Sequence, residues 1–143
     1  LFIGEGDMDP EVDVFIKTHQ MSDYLFRSSF RTDVPELLNA IDVYCLPSLW
    51  EGLSIALLEA MAMEKAIIAT PTDGTCELIH NEENGLVIPF NDVQSLTDAI
   101  VTLSESPEKC KLYGTSARSL VENNYNAKHV SNEVTKLYFK FAK

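Results

Sequence analysis

Short apolar runs alternate with helix-length runs from the first residue to about position 90, and most of the apolar runs are closed by Gly, Pro or Thr-Pro. Residues 1–3, 24–27, Val43–Leu46, Ala66–Ala69 and 86–88 are brief apolar segments that read as strands. Residues 11–20, 34–41, 54–63 and 75–79 read as the helices between them. Strands that alternate with helices build βα units, and βα units build a mostly parallel sheet covered by helices. The expected class is therefore α/β. Antiparallel pairing of Val43–Leu46 with Ala66–Ala69 would refute it.

Local signals sharpen this outline. Asp33 and Glu36 stand at capping-box spacing around Val34-Pro35. Asp73-Gly74 reads as a turn, and Asn84-Gly85 turns the chain into the strand stopped by Pro89. Beyond position 92 the pattern is helical throughout. Asp92 caps a helix carrying Val93, Leu96, Ile100 and Leu103, and Ser106-Pro107-Glu108 opens another carrying Leu112, Ala117, Leu120 and Val121. After Asn123-Asn124-Tyr125-Asn126 a last helix carries Val130, Val134, Leu137 and Phe141. Residues 1–143 are expected to form one domain whose helical tail, 92–143, covers a sheet face or reaches a neighbouring domain.

Composition removes several function classes. Lys and Arg number 11 against 22 Asp and Glu, a formal charge of −11. So acidic a chain lacks the positive surface that nucleic acid or anionic lipid requires. The apolar runs fall short of a membrane span, and the first residues lack the basic start and cleavage site of a secretion signal. Cys45, Cys76 and Cys110 make neither a paired disulfide framework nor a metal pair, and His19, His80 and His129 share no ligand spacing. No metal is expected, and a reducing, cytoplasmic setting is. The opening Leu1-Phe2-Ile3-Gly4 reads as the end of a buried strand, so the residues are expected to be a piece of a longer polypeptide.

The chemistry concentrates around Leu46-Pro47-Ser48-Leu49-Trp50-Glu51-Gly52. This loop leaves the C-terminal end of a strand and enters a helix, the place where open parallel sheets bind ligands. Glu59 lies eight positions after Glu51, inside an apolar helix that reads as buried and has no packing use for a carboxylate. A helix opening just after Gly52 leaves free backbone N–H groups near Leu53, Ser54 and Ile55, suited to an anion, while Ser54 also fits a helix cap. Ser48 lacks the flanking glycines of a nucleophile elbow and reads as a turn residue. Trp50 either covers a ligand ring or fills a space between domains. Arg27, Arg31 and Lys65 are candidate phosphate partners, Arg31 foremost, while Lys65 also complements a helix C-terminus. Gly4-Glu5-Gly6 lacks the third glycine of a dinucleotide fingerprint and reads as a turn.

Taken in order, Phe30-Arg31-Thr32-Asp33-Val34-Pro35-Glu36-Leu37-Leu38, Ala40-Ile41-Asp42-Val43, Leu46-Pro47-Ser48, Glu51-Gly52, Leu58-Glu59-Ala60-Met61-Ala62 and Asn84-Gly85-Leu86-Val87-Ile88-Pro89 resemble a known family. It is the C-terminal half of retaining, nucleotide-sugar-dependent glycosyltransferases of GT-B architecture, the sucrose- and glycogen-synthase-like and bacterial capsule or lipopolysaccharide enzymes. The resemblance implies a Rossmann-like parallel sheet with helices on both faces and the first βα unit missing. It implies hexosyl transfer with retention from a UDP- or GDP-sugar or similar donor to a glycan or lipid-linked saccharide. Glu51 matches the catalytic carboxylate beside the donor sugar, and Glu59 the one that binds the ribose hydroxyls. The amides near Leu53, Ser54 and Ile55 match those holding sugar or diphosphate. No metal or other cofactor is implied. The missing N-terminal domain would be a partner and would carry any peripheral membrane contact, and the fragment alone would be inactive and prone to self-association. Ser29 and Ser54 stand where the family favours glycine, and Glu64-Lys65-Ala66 replaces its Gly/Pro turn. Asp73-Gly74 and Glu77 keep part of the following loop. The competing classes are a non-catalytic sugar-nucleotide-binding or scaffold domain and a GT-B-like sugar-nucleotide epimerase.

Overall fold

A computed structural model describes residues 1–142. The element order is β1 (Phe2–Ile3), α1 (Asp9–Thr18), β2 (Arg27–Ser28), α2 (Val34–Asn39), β3 (Val43–Leu46), α3 (Ile55–Ala62), β4 (Ala66–Ala69), α4 (Asp73–Leu78), β5 (Leu86–Val87), α5 (Val93–Ser104), α6 (Pro107–Asn124) and α7 (Ala127–Phe141). All strand pairs are parallel, as expected. They form two sheets, β1-β2 and β3-β4-β5, where one was expected. The chain accordingly divides into two compact units, Leu1–Glu36 and the residues from Leu37 onward.

In the first unit β1 pairs with β2, Phe2 opposite Arg27 and Ile3 opposite Ser28. The crossover helix α1 starts at Asp9, two residues earlier than the sequence suggests, with Pro10 in its first turn where no N–H is needed. Arg27 ties the two together. Its guanidinium lies 2.8 Å from Asp9 Oδ2 and donates to both carboxylate oxygens of Asp13 at 3.0 and 2.9 Å. β2 begins at Arg27, so the apolar residues at 24–26 precede the strand expected over 24–27. The Asp33 carboxylate takes the guanidinium of Arg31, so the side chain expected to cap the helix is held by an arginine.

The second unit is organised by β4, whose four residues are all buried. Both faces of a parallel strand are normally covered by crossover helices, which is why Ala-Ile-Ile-Ala can be apolar throughout. Val43 lies opposite Ala66 and Leu46 opposite Ala69 on one side, and Ile68 lies opposite Leu86 on the other. Ala66 and Ile68 meet Ala99 and Leu103 of α5 and Tyr113 of α6, with Ile88 closing the cluster. Asp92 and Ser106 cap α5 and α6 with their own side chains, as their positions before apolar periodic runs predict, and Asn126 does the same for α7. α7 buries none of its residues, and Val130, Val134, Leu137 and Phe141 leave an apolar stripe exposed along it. Among the described residues no helix is long and apolar enough to cross a membrane.

Two positions show how glycine is used here. α3 ends in a Schellman motif: the N–H of Lys65 reaches Ala60 O and that of Glu64 reaches Met61 O, both at 3.0 Å. The motif needs a left-handed residue, and Glu64 supplies it at φ 57° in place of the usual glycine. Opposite it, Gly114 of α6 sits so close that a Cβ would lie 2.1 Å from Glu64 O. Glu64→Gly should raise stability by about 0.5–1 kcal/mol by relieving left-handed strain. Its exposed contact with Arg118, 3.8 Å away, is weak. Gly114→Ala should instead cost about 1–3 kcal/mol, because two backbones must separate. Thermal and urea melts of both variants check the pair; a stable Gly114→Ala protein would contradict the packing.

Candidate functional site

Strand β3 ends at Leu46, and Pro47 directs the chain over the C-terminal edge of the sheet into the loop that carries Glu51. Parallel pairing sets the end of β4 beside it, so residues 70–74 run alongside this loop. The two segments are joined by hydrogen bonds. Thr70, only 2% exposed, donates its hydroxyl to Ser48 O, and its backbone N–H reaches Leu46 O at 3.3 Å. The N–H of Gly74 reaches Glu51 O at 3.4 Å. Gly74 has no room for a side chain: a Cβ there would stand 1.8 Å from Gly52 O. Asp73-Gly74 is thus the first turn of α4, capped by Thr72, and the expected turn is corrected accordingly.

Glu51 is half-buried, and the Ser48 hydroxyl donates to its Oε1 at 2.9 Å. Ser54 caps α3, its Oγ accepting the N–H of Leu57 at 3.3 Å. The cap uses one orphan amide. The amides of Leu53, Ser54 and Ile55 find no backbone acceptor among the described residues, and the side chains of Leu53 and Ile55 are exposed. Donors at a helix start with no internal partner favour an anion.

Glu59 lies one turn after Ile55, on the same face of α3, while Leu57, Ala60 and Met61 point into the core. That face is open, with Ile55 72% exposed and Glu59 exposed beside it. The expectation that Glu59 sits on a buried helix is therefore corrected: α3 is apolar but half-covered. Among the described residues Glu59 forms no side-chain hydrogen bond or ion pair. Tyr44 is half-buried on β3. Burial first, then the charges of Glu51 and Glu59, push its phenol up and keep it a neutral O–H donor. Trp50 is 85% exposed at the loop tip.

The basic candidates fare differently. Arg27 is occupied by Asp9 and Asp13, and Arg31 by Asp33. Lys65 precedes β4, whose first residue pairs with Val43, so it lies at the sheet edge opposite Glu51. A hollow of about 760 Å³ at that opposite edge, lined in part by Asp42, Lys65 and Lys111, holds neither Glu51 nor Glu59. Among the described residues no three His, Cys, Asp or Glu side chains are grouped to hold a metal. The sequence reading passes over Thr70, and takes Ser48 for a turn residue and Gly74 for part of a turn. A serine three residues before a loop carboxylate was the available signal for Ser48. Gly74 and Thr70 acquire meaning only once the register of β3 and β4 is known.

A sequence profile described as "Glycosyl transferases group 1" matches residues 1–120. The chain is 28% identical over 139 residues to UDP-Gal:alpha-D-GlcNAc-diphosphoundecaprenol alpha-1,3-galactosyltransferase of Escherichia coli, which covers 96% of this chain and 36% of that protein. It superposes on Anabaena HepE, solved in complex with UDP-glucose, with a TM-score of 0.87 and 21% identity, over 97% of this chain and 40% of that one. The C-terminal domain of a glycosyl transferase group 1 family protein (LpcC) from Francisella tularensis matches with a TM-score of 0.78 and 24% identity, over 85% and 64% of the two chains. These superpositions show the fold, a Rossmann-like part of the GT-B architecture. The chain spans about a third of the length of the curated relatives it matches. By the profile that covers most of its length, the chain belongs to the group 1 glycosyltransferase family.

Proposed function

We propose that this chain is the donor-binding half of a hexosyltransferase that moves a sugar from a nucleoside diphosphate to a glycan or lipid-linked saccharide with retention of configuration. The observation that carries the reading is the meeting of an anchored carboxylate, Glu51, with unpartnered helix-start amides at the C-terminal end of a parallel strand. The chemistry asks for both. Positive charge develops at the anomeric carbon as the sugar–phosphate bond breaks, and negative charge develops on the departing diphosphate. Glu51 suits the sugar side, and the amides of Leu53, Ser54 and Ile55 suit the diphosphate. Glu59, open on the same helix, is assigned to the ribose hydroxyls. The leaving diphosphate takes the acceptor's hydroxyl proton, so no separate base is needed in this chain.

The donor class is supported by relatives rather than by this site alone: the E. coli enzyme is named for UDP-Gal, and HepE was solved with UDP-glucose. The E. coli relative is named for a diphosphoundecaprenol-linked acceptor, which supports a lipid-linked acceptor here; we place the protein in the cytoplasm, with any membrane contact made through its N-terminal half. The remaining partner is an N-terminal half of the same polypeptide; Arg31 stays a phosphate candidate of this chain, and the rest of the phosphate-binding charge is assigned to the segment upstream of Leu1. Incubating the full-length protein with labelled UDP-glucose, UDP-galactose, UDP-N-acetylglucosamine and GDP-mannose, with polyprenyl-diphosphate sugars as acceptors, tests the reading. Transfer from one donor is expected. Binding without transfer would leave a binding or scaffold domain, and interconversion of donor sugars would leave an epimerase.

Three further outcomes follow. In the full-length protein Glu59→Gln should weaken nucleoside diphosphate binding by about 1–3 kcal/mol, the cost of a lost charged hydrogen bond. Its melting point should stay nearly unchanged, since the side chain is exposed. Glu51→Gln should lower kcat more than affinity, because its contact strengthens as charge develops. Calorimetry with UDP or GDP beside thermal melts separates the two, and unchanged affinity with a lowered melting point would remove Glu59 from the site. Residues 1–143 alone should neither transfer sugar nor stay monomeric. Catalysis needs the second half to orient reactants and exclude water. β3, paired on one side only and partly exposed, offers an open strand edge to another copy. Light scattering over a concentration series checks association, with a concentration-independent monomer counting against it.

A further inference from the structure

We infer that Ser48 is a positioning residue for Glu51, fixing one carboxylate oxygen so that the other is presented to the donor sugar. The inference rests on the reading of Glu51 as the carboxylate at that sugar. Glu51 sits in a loop, and a glutamate side chain has several rotatable bonds, so its carboxylate is aimed only if something holds it. Ser48 does so: its single hydroxyl proton goes to Oε1 at 2.9 Å. Ser48 is itself held, because its carbonyl accepts the hydroxyl of Thr70, which is buried at the end of β4. The main chain of Glu51 is held by Gly74 N–H. The loop carboxylate is thus referenced to the most buried strand of the fold through two hydroxyls.

The chemical type of the donor matters as much as its place. An ionised carboxylate only accepts hydrogen bonds, and an arginine or lysine would orient it just as well. A cation, however, would cancel the negative charge that favours a developing positive charge at the anomeric carbon. A serine hydroxyl orients without neutralising. It also leaves Oε2 without a hydrogen-bond partner among the described residues, available to a sugar hydroxyl.

The test uses the full-length protein and whichever donor of the panel above turns over. Four variants are compared: Ser48→Ala, Ser48→Thr, Glu51→Gln and Ser48→Ala with Glu51→Gln. Ser48→Ala should lower kcat about tenfold while donor KM and the Kd for UDP or GDP move less than about threefold. Ser48→Thr keeps the hydroxyl and should recover most of the loss. In the Glu51→Gln background Ser48→Ala should cost almost nothing further, because the residue acts through that carboxylate. An unchanged kcat in Ser48→Ala, an equal loss in both backgrounds, a matching loss of nucleotide affinity, or a Ser48→Thr protein as slow as Ser48→Ala would each overturn the inference. Full turnover by Glu51→Gln, or turnover with no donor, would overturn the reading of Glu51 beneath it. A slow Glu51→Gln with an unaffected Ser48→Ala would overturn only the role of Ser48.

Discussion

Ala66–Ala69 is covered on both faces and paired on both edges, and the geometry of the larger unit follows from that confinement. A strand so enclosed has no freedom of register: a slip of one residue would turn Ala66 and Ile68 away from Ala99, Leu103 and Tyr113. Its fixed register sets where β3 ends beside it, Leu46 against Ala69. The loop bearing Glu51 and the segment from Thr70 to Gly74 therefore leave the sheet side by side. The hydrogen bonds between them come from neighbouring strand ends rather than from any affinity of one loop for the other.

Close approach completes the arrangement. With Gly74 against Gly52, the start of α4 presses on the Glu51 loop at backbone distance. Gly114 does the same for α6 on the end of α3. The helix bearing Glu59 is thus pinned near its end by one glycine, and the loop preceding it by another. Neither glycine touches a ligand in the proposed reaction. Both set the distance between elements that would, which is a packing role with a functional consequence.

The sequence made the parallel α/β class legible, because Val43–Leu46 and Ala66–Ala69 are short, apolar and separated by a helix-length run. It also showed the caps at Asp92 and Ser106, whose signals are local. Less legible was anything decided by coverage. α3 is composed almost wholly of apolar residues, so composition reads it as buried, yet only the Leu57, Ala60 and Met61 face is covered and Glu59 lies in the open. Asp33 had the spacing of a cap, but a guanidinium two residues away competes better for a carboxylate than a backbone N–H does. The two sheets in place of one are a matter of pairing, which no strand's own sequence states. Ser48 read as a turn residue because its partners, Glu51 and Thr70, are defined by a loop conformation and a register.

Electrostatics marks how the work of binding would be divided. With a formal charge of −11, the chain carries too few cations to attract a diphosphate by charge alone. Several of those it has are paired or distant. Arg27 and Arg31 are bound by aspartates, Arg118 by Glu122 and Lys136 by Glu133, while Lys65 is at the far sheet edge. What remains at the Glu51 loop is a set of neutral donors: the amides of Leu53, Ser54 and Ile55 and the hydroxyl of Ser48. Neutral donors select geometry and leave the two carboxylates their charge. Under the proposed reaction such a surface orients sugar and diphosphate, while the attraction for two phosphates is assigned to basic residues upstream of Leu1.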